Sequence, residues 1–164
     1  MVSVVGPAGA GKTALLEALV PALARRGYRV ACLKHSHHRG LLPEAPDTDS
    51  YRLAQAGPHA TALAVPGLLC LRRADDGEWP LPALLPLLQG LVDLVLTEGY
   101  HQAPTPKLLV LRAGQEPPPF RGRLLAVVGD APPRWRGPRF SPHQAEALAA
   151  FLEQRLALNR GGRR

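Results

Sequence analysis

The sequence contains no isoleucine, one asparagine, two cysteines and only three lysines among its 20 basic residues. The two cysteines have no metal-ligand spacing, which argues against a zinc site or a disulfide scaffold and favours reduced thiols. No apolar run approaches the roughly 18–20 residues needed to span a bilayer, and the amino terminus lacks the basic region of a signal peptide. We therefore expect a cytoplasmic protein without a membrane segment.

The composition that remains is typical of one globular domain. The 164 residues are 46% hydrophobic and 20% charged, which suits a single buried core and not a disordered chain. The net charge of +7 comes mostly from the carboxyl-terminal part, since residues 131–164 hold seven arginines against two glutamates. We expect one domain over residues 1–158 and a basic tail over residues 159–164. The excess is interpreted as solvated surface charge or, less favoured, as contact with a polyanion or an acidic partner.

The strongest motif is a complete G-x-x-x-x-G-K-T sequence near the amino terminus, preceded by an apolar run and followed by an amphipathic stretch. Its residues are Gly6, Pro7, Ala8, Gly9, Ala10, Gly11, Lys12 and Thr13. Glycines let the backbone N–H groups of such a loop surround phosphates, and the following helix adds positive potential there. The lysine reaches the β- and γ-phosphates and the threonine hydroxyl binds Mg²⁺. The motif predicts binding of a nucleoside di- or triphosphate with Mg²⁺.

Apolar periodicity predicts alternating strands and helices along the chain. Predicted strands are 2–5, 28–34, 91–97, 107–111 and 123–128, and predicted helices are 13–26, 50–56, 81–89 and 142–158. Ser141 would cap the last helix, with Pro142 at its first position. Two short strands at 60–65 and 68–72 flank Pro66-Gly67 and predict a hairpin. The pattern indicates an α/β fold of the P-loop NTPase type, with a largely parallel sheet flanked by helices and a short β-hairpin insertion.

Glu98 is the favoured acidic partner of the magnesium ion. It ends a buried strand and is followed by glycine, whereas Asp93 lies at the other end of that strand. Ligands of open α/β sheets bind beyond the carboxyl ends of the strands, so the choice falls on Glu98. Asp49 is open to two interpretations, as a helix-cap acid or as a further carboxylate near the magnesium.

A basic block, Lys34-His35-Ser36-His37-His38, ends the second predicted strand. Three imidazoles could bind zinc, but the block lacks a convincing further ligand, so binding of a polyanion or acidic partner is favoured over metal. Surface histidines without a function are the remaining interpretation. Asp130, after the strand 123–128, could accept hydrogen bonds from a guanine edge or could be a turn residue.

Taken together, these blocks resemble the MobB family of molybdopterin-guanine dinucleotide biosynthesis adaptor proteins. The resemblance includes the P-loop, Lys34-His35-x-His37-His38, Asp49-Ser50-Tyr51-Arg52, Asp93 to Tyr100, and Pro106-Lys107 before a strand that ends at Arg112. It extends from Val2 to about residue 156. All three lysines of the chain lie within these blocks.

The resemblance implies a P-loop GTPase fold and a homodimer in which strands pair between subunits. It also implies binding of GTP with Mg²⁺, slow intrinsic hydrolysis, and association with a MobA-like guanylyltransferase that attaches GMP to molybdopterin. By matching position, residues 6–13 would hold phosphates, and Thr13, Asp49 and Glu98 would surround magnesium. Lys34 and His37 would line a groove beside the nucleotide or the pterin.

A small-molecule P-loop kinase is the main alternative. Such an enzyme needs an acceptor site and an arginine-rich lid over the phosphates, which Arg121, Arg123, Arg134 and Arg136 could provide. A third class, a nucleic-acid-binding NTPase, has no support in the sequence other than the basic tail. No glutamine or arginine that stabilises the transition state can be assigned, although Arg52 and Arg112 are candidates.

Overall fold

The computed structural model describes residues 1–36, 45, 48–73 and 79–158, which belong to two compact units. The sheet unit comprises residues 1–36 and 81–158, and the hairpin unit comprises residue 45, residues 48–73 and residues 79–80. His37, His38 and the predicted basic tail at 159–164 lie outside the described residues.

The sheet unit is built on six strands in the order β2-β5-β1-β6-β7-β8, all paired in parallel. The strands are β1 (Val2–Val5), β2 (Val30–Lys34), β5 (Leu94–Glu98), β6 (Lys107–Leu111), β7 (Leu124–Gly129) and β8 (Arg139–Phe140). The central strands β1, β5 and β6 are almost entirely buried, as expected for apolar runs in a parallel sheet. The predicted parallel α/β fold is confirmed, and all six carboxyl ends of the strands lie on one edge.

Two helices cover one face of this sheet. Helices α1 (Lys12–Arg25) and α4 (Ala145–Arg155) pack together there and share a core with the central strands. That core includes Val4 of β1 and Leu19 of α1, neither of which is exposed to solvent. The opposite face carries a smaller apolar cluster that includes Val5 and Leu109, against which Trp135 packs. A further helix, α3 (Leu81–Leu88), follows the hairpin unit in the chain.

The last helix begins later than predicted. Its cap is Gln144, not Ser141, and Pro142 is not its first residue. The Ser141 N–H donates to the Gln144 side chain at 2.7 Å, and the Gln144 N–H donates back to the Ser141 carbonyl at 3.0 Å. These two hydrogen bonds close a turn ahead of the helix, so the prediction from serine and proline was wrong by one turn. Strand β8 was also missed, because two residues carry no periodicity.

The hairpin unit contains α2 (Asp49–Gln55) and the antiparallel strands β3 (Ala60–Val65) and β4 (Leu68–Arg73). Thr48 caps α2 by accepting a hydrogen bond from the Tyr51 N–H. Gly67, at a φ of +80° that favours glycine, makes the tight turn between the strands. The predicted hairpin insertion is confirmed. None of the described helices is long and apolar enough to cross a membrane.

Candidate nucleotide-binding site

The P-loop connects β1 to α1 at the carboxyl edge of the sheet. Gly6 must be glycine, since a Cβ there would lie 2.3 Å from the Val110 carbonyl oxygen of the neighbouring strand. Gly11, with a φ of +99°, is the cap residue of α1. The loop therefore turns tightly into the helix amino terminus, where unpaired N–H groups can receive an anion.

Lys12 folds back over this loop. Its ammonium donates to the carbonyls of Gly6 at 3.0 Å and Pro7 at 2.7 Å. The positive charge thus lies directly above the loop backbone, within reach of a phosphate that the loop would hold.

Thr13 and Glu98 come together next to the loop, although 85 residues separate them. The Thr13 hydroxyl donates to the Glu98 carboxylate at 2.7 Å, and the Lys34 ammonium lies 3.5 Å from the same carboxylate. The register of the sheet explains this, because Glu98 pairs with Val4 of β1 on one side and with Lys34 of β2 on the other. A hydroxyl and a carboxylate side by side are oxygen donors of the kind that Mg²⁺ prefers. These residues fit a magnesium ion.

Asp93 lies at the other end of β5, as expected. Its carboxylate accepts hydrogen bonds from the Arg29 guanidinium at 2.8 Å and from the Arg29 backbone N–H at 2.8 Å. The hydrogen bond to Asp93 holds the pKa of Arg29 above its ordinary value. Asp93 therefore ties β2 to β5 and takes no part in the site at the carboxyl edge.

The turn after Glu98 packs against the end of β2. The Tyr100 ring lies 4.7 Å from the His35 ring, measured between centroids, and the His35 N–H donates to the Glu98 carbonyl at 2.9 Å. Gly99 leaves room for His35, because a Cβ at Gly99 would lie 3.2 Å from the Cβ of His35. His35 thus contributes to the fold around Glu98, a contact that the spacing of the sequence does not reveal.

Lys107 is a fully buried lysine beneath this turn. Its ammonium donates to the carbonyls of Tyr100 at 3.0 Å and Ala103 at 2.9 Å, and to the Thr105 hydroxyl at 2.7 Å. The Thr105 hydroxyl also forms a 2.6 Å hydrogen bond with the Ser3 hydroxyl. Desolvation lowers the pKa of Lys107 to about 8. Lys107 therefore anchors the segment that leads away from Glu98, which gives a structural role to a lysine whose role the sequence leaves open.

Asp130 lies just beyond β7, on the same edge of the sheet as the P-loop. Its carboxylate is half exposed and lies 3.3 Å from the Arg139 guanidinium. Both residues line a surface cavity of about 500 Å³, together with Arg112 after β6 and Gln144 before α4. The cavity is open to solvent and carries both a carboxylate and arginines at its wall.

Two further site residues were predicted from the sequence, Asp49 and His37. Asp49 belongs to the hairpin unit, where it is the first residue of α2, almost fully exposed, and 3.6 Å from Arg52. The contact with Arg52 therefore agrees with the interpretation of Asp49 as a helix-terminal acid. His37 lies outside the described residues. Within the described ranges no group of three or more histidines, cysteines, aspartates or glutamates could hold a metal ion.

Comparison with known proteins gives a consistent result. The family model for MobB, "Molybdopterin guanine dinucleotide synthesis protein B", matches residues 1–130. The molybdopterin-guanine dinucleotide biosynthesis adapter protein of Haemophilus influenzae is 34% identical over 170 residues, covering 99% of this chain and 93% of that protein. The adapter protein of the same description from Escherichia coli is 31% identical over 160 residues, covering 93% and 91% respectively.

Solved structures agree with the sequence matches. A crystal structure of molybdopterin-guanine biosynthesis protein B aligns with a TM-score of 0.74 at 30% identity and covers 95% of this chain and 98% of that chain. The crystal structure of Bacillus subtilis MobB aligns with a TM-score of 0.72 at 27% identity and covers 98% of each. The similarity therefore includes both the P-loop sheet and the hairpin.

Proposed function

The chain belongs to the MobB family of molybdopterin guanine dinucleotide synthesis proteins, and on this premise we propose that it is a GTP-binding adapter in molybdopterin guanine dinucleotide biosynthesis. In this role it assists a MobA-like guanylyltransferase that transfers GMP to molybdopterin. The family favours the adapter over a small-molecule P-loop kinase. The protein works in the cytoplasm.

The observation that carries the nucleotide proposal is the 2.7 Å contact between Thr13 and Glu98 at the P-loop. In this proposal residues 6–13 would hold the phosphates, Lys12 would contact the β- and γ-phosphates, and Thr13 and Glu98 would supply oxygen ligands to Mg²⁺. Lys34 then lies beside the magnesium site. Asp49 is proposed as a further carboxylate ligand of the magnesium ion. His37 is proposed to contact the nucleotide or the pterin.

Guanine recognition is proposed for Asp130. A carboxylate can accept from both N1–H and the N2 amino group of guanine, whereas adenine offers no donor at these two positions. The position of Asp130 at the strand end beyond β7, at the wall of the open cavity, supports this proposal. The ion pair between Asp130 and Arg139 is exposed to solvent, so it contributes little free energy. Replacing it by hydrogen bonds to a guanine base therefore costs little.

Hydrolysis of GTP by the isolated protein is proposed to be slow. Phosphoryl transfer to water needs a positioned nucleophile and charge stabilisation beyond the P-loop lysine and magnesium. A residue from the partner or from a second copy of the chain would have to complete the site.

The proposal is tested with Lys12→Ala in a guanylylation assay that contains the guanylyltransferase, molybdopterin and GTP. Lys12 bonds only to loop carbonyls in the described residues, so the variant should fold normally. We expect it to lose both nucleotide binding and stimulation of the partner. Arg123→Ala, immediately before β7 at the opposite edge of the sheet, serves as the control and should stimulate like the wild type. Normal stimulation by Lys12→Ala would show that the nucleotide is not central to the role.

A further inference from the structure

A short turn after β6 lies directly against the P-loop. In this turn the Arg112 N–H donates to the Gln115 side-chain oxygen at 3.0 Å, and the Gln115 N–H donates to the Arg112 carbonyl at 3.1 Å. Gly114, at a φ of +76°, makes the turn tight. The two reciprocal bonds fix Arg112 and Gln115 relative to each other.

The turn also contacts the P-loop backbone. The Gln115 side-chain amide donates to the Ala8 carbonyl at 3.4 Å. The Arg112 guanidinium lies 3.9 Å from the position that a Cβ on Gly11 would occupy. Arg112 therefore lies over the loop residue that precedes Lys12.

The guanidinium of Arg112 has no ion pair or hydrogen bond within the described residues, and its side chain is exposed to solvent. Two carboxylates at the same edge of the sheet have contacts of their own. Glu98 contacts Thr13 and Lys34, and Asp130 contacts Arg139. An unpaired arginine beside an anion-binding loop is suited to a phosphate, which a guanidinium can grip with two parallel hydrogen bonds.

We propose that Arg112 binds the α- and β-phosphates of the bound nucleotide from the side opposite the magnesium site, and that Gln115 positions it by tying its turn to Ala8. This inference rests on the proposed function of the P-loop. Gly11 belongs to the part of the motif whose N–H groups surround the α- and β-phosphates, while Lys12 extends toward the β- and γ-phosphates. Arg112 thus acts on the phosphates that GTP and GDP share.

This assignment makes a specific energetic prediction. An interaction with the shared phosphates is present before and during hydrolysis, so its loss weakens binding without slowing the chemical step. We expect Arg112→Ala to weaken the binding of GTP and GDP alike, by about tenfold each, as one charge-assisted contact suggests. The single-turnover rate of GTP hydrolysis at saturating nucleotide should stay within about twofold of wild type.

The experiment titrates GTP and GDP, each with Mg²⁺, into the wild-type chain and into the Arg112→Ala, Gln115→Ala and Arg123→Ala variants. Arg123 is an exposed arginine at the opposite edge of the sheet. The Arg123→Ala variant is the control and should bind both nucleotides like the wild type. Gln115→Ala should give a smaller loss in the same direction. It should add little in the Arg112→Ala background, because positioning matters only while Arg112 is present.

The outcomes separate this inference from the proposed function. Unchanged affinity of Arg112→Ala for both nucleotides overturns the inference, and so does a loss confined to GTP with a slower chemical step. In either case Lys12→Ala would still abolish binding, and the P-loop proposal would stand. Failure of the wild-type chain to bind either nucleotide would overturn both.

Discussion

At the scale of single residues, the site depends on how Lys107 is satisfied. Its ammonium has three N–H donors, and three oxygens from Tyr100, Ala103 and Thr105 lie within 3.0 Å. This match of donors to acceptors offsets part of the cost of burying a charge. If the amine loses its proton, the Thr105 hydroxyl can reverse and donate to it, with Ser3 donating to Thr105 in turn. Both protonation states are therefore compatible with the fold.

The lowered pKa of Lys107 predicts a pH dependence of stability. Below about pH 8 the amine is charged in both the folded and the unfolded chain, so it contributes no slope. Between about pH 8 and the ordinary lysine pKa of about 10.4, the unfolded chain holds the extra proton. The free energy of unfolding of the wild type should therefore rise with pH in this window relative to Lys107→Met, by at most about 1.4 kcal/mol per pH unit.

Urea unfolding of both chains at a series of pH values measures this difference. Lys34→Met, which removes an exposed lysine on the same sheet, is the matched control for the loss of a lysine side chain. A flat or falling curve for Lys107→Met would contradict the account of the buried amine.

At the scale of elements, the hairpin carries an unusual apolar surface. Leu69 and Leu71 of β4 are 70% and 69% exposed, and their partners in β3 are Ala64 and Ala62. One face of the hairpin therefore consists of apolar residues in contact with solvent. Such a patch on a small protein is typical of a binding surface. We propose that the chain forms the homodimer implied by the family resemblance and that a second copy covers this face.

The prediction for this element is a change in mass. Substitution of both leucines, Leu69→Lys with Leu71→Lys, places two charges on the face and should convert a dimer to the 17.6 kDa monomer in light scattering after gel filtration. Leu87→Lys alters a leucine of α3 that is 63% exposed and should leave the dimer intact. A dimer that survives the double substitution would place the contact elsewhere.

Some features of these elements could be predicted from the sequence and others could not. The placement of Glu98 at the carboxyl end of β5 and of Asp93 at its other end could be predicted, because it depends only on the direction of the strand. The role of Lys107 could not be predicted, since two of its three acceptors are backbone carbonyls that the chain brings back beneath the strand. The contact of Gln115 with Ala8 joins residues 107 positions apart, and nothing local indicates it. The start of α4 was misplaced because the Gln144 side chain, and not Ser141, completes the preceding turn.

At the scale of the whole molecule, the parallel sheet places the candidate functional residues of the P-loop site at one edge. Glu98 is the last residue of β5, Lys12 begins the helix after the P-loop, and Arg112 and Asp130 directly follow β6 and β7. The positions of individual charged residues therefore indicate the function better than the net charge of +7 does. Lys12, Glu98 and Arg112 are proposed to act on phosphate or magnesium, and Asp130 is proposed to select the base.

The most direct test of the central claim is the affinity of the wild-type chain for GTP and for ATP, each measured by calorimetry with Mg²⁺ in excess. We expect GTP to bind at least about tenfold more tightly than ATP, since two hydrogen bonds from guanine to Asp130 are worth more than about 1.4 kcal/mol when adenine cannot form them. Equal affinities, or a preference for ATP, would contradict the claim that this is a GTP-binding adapter.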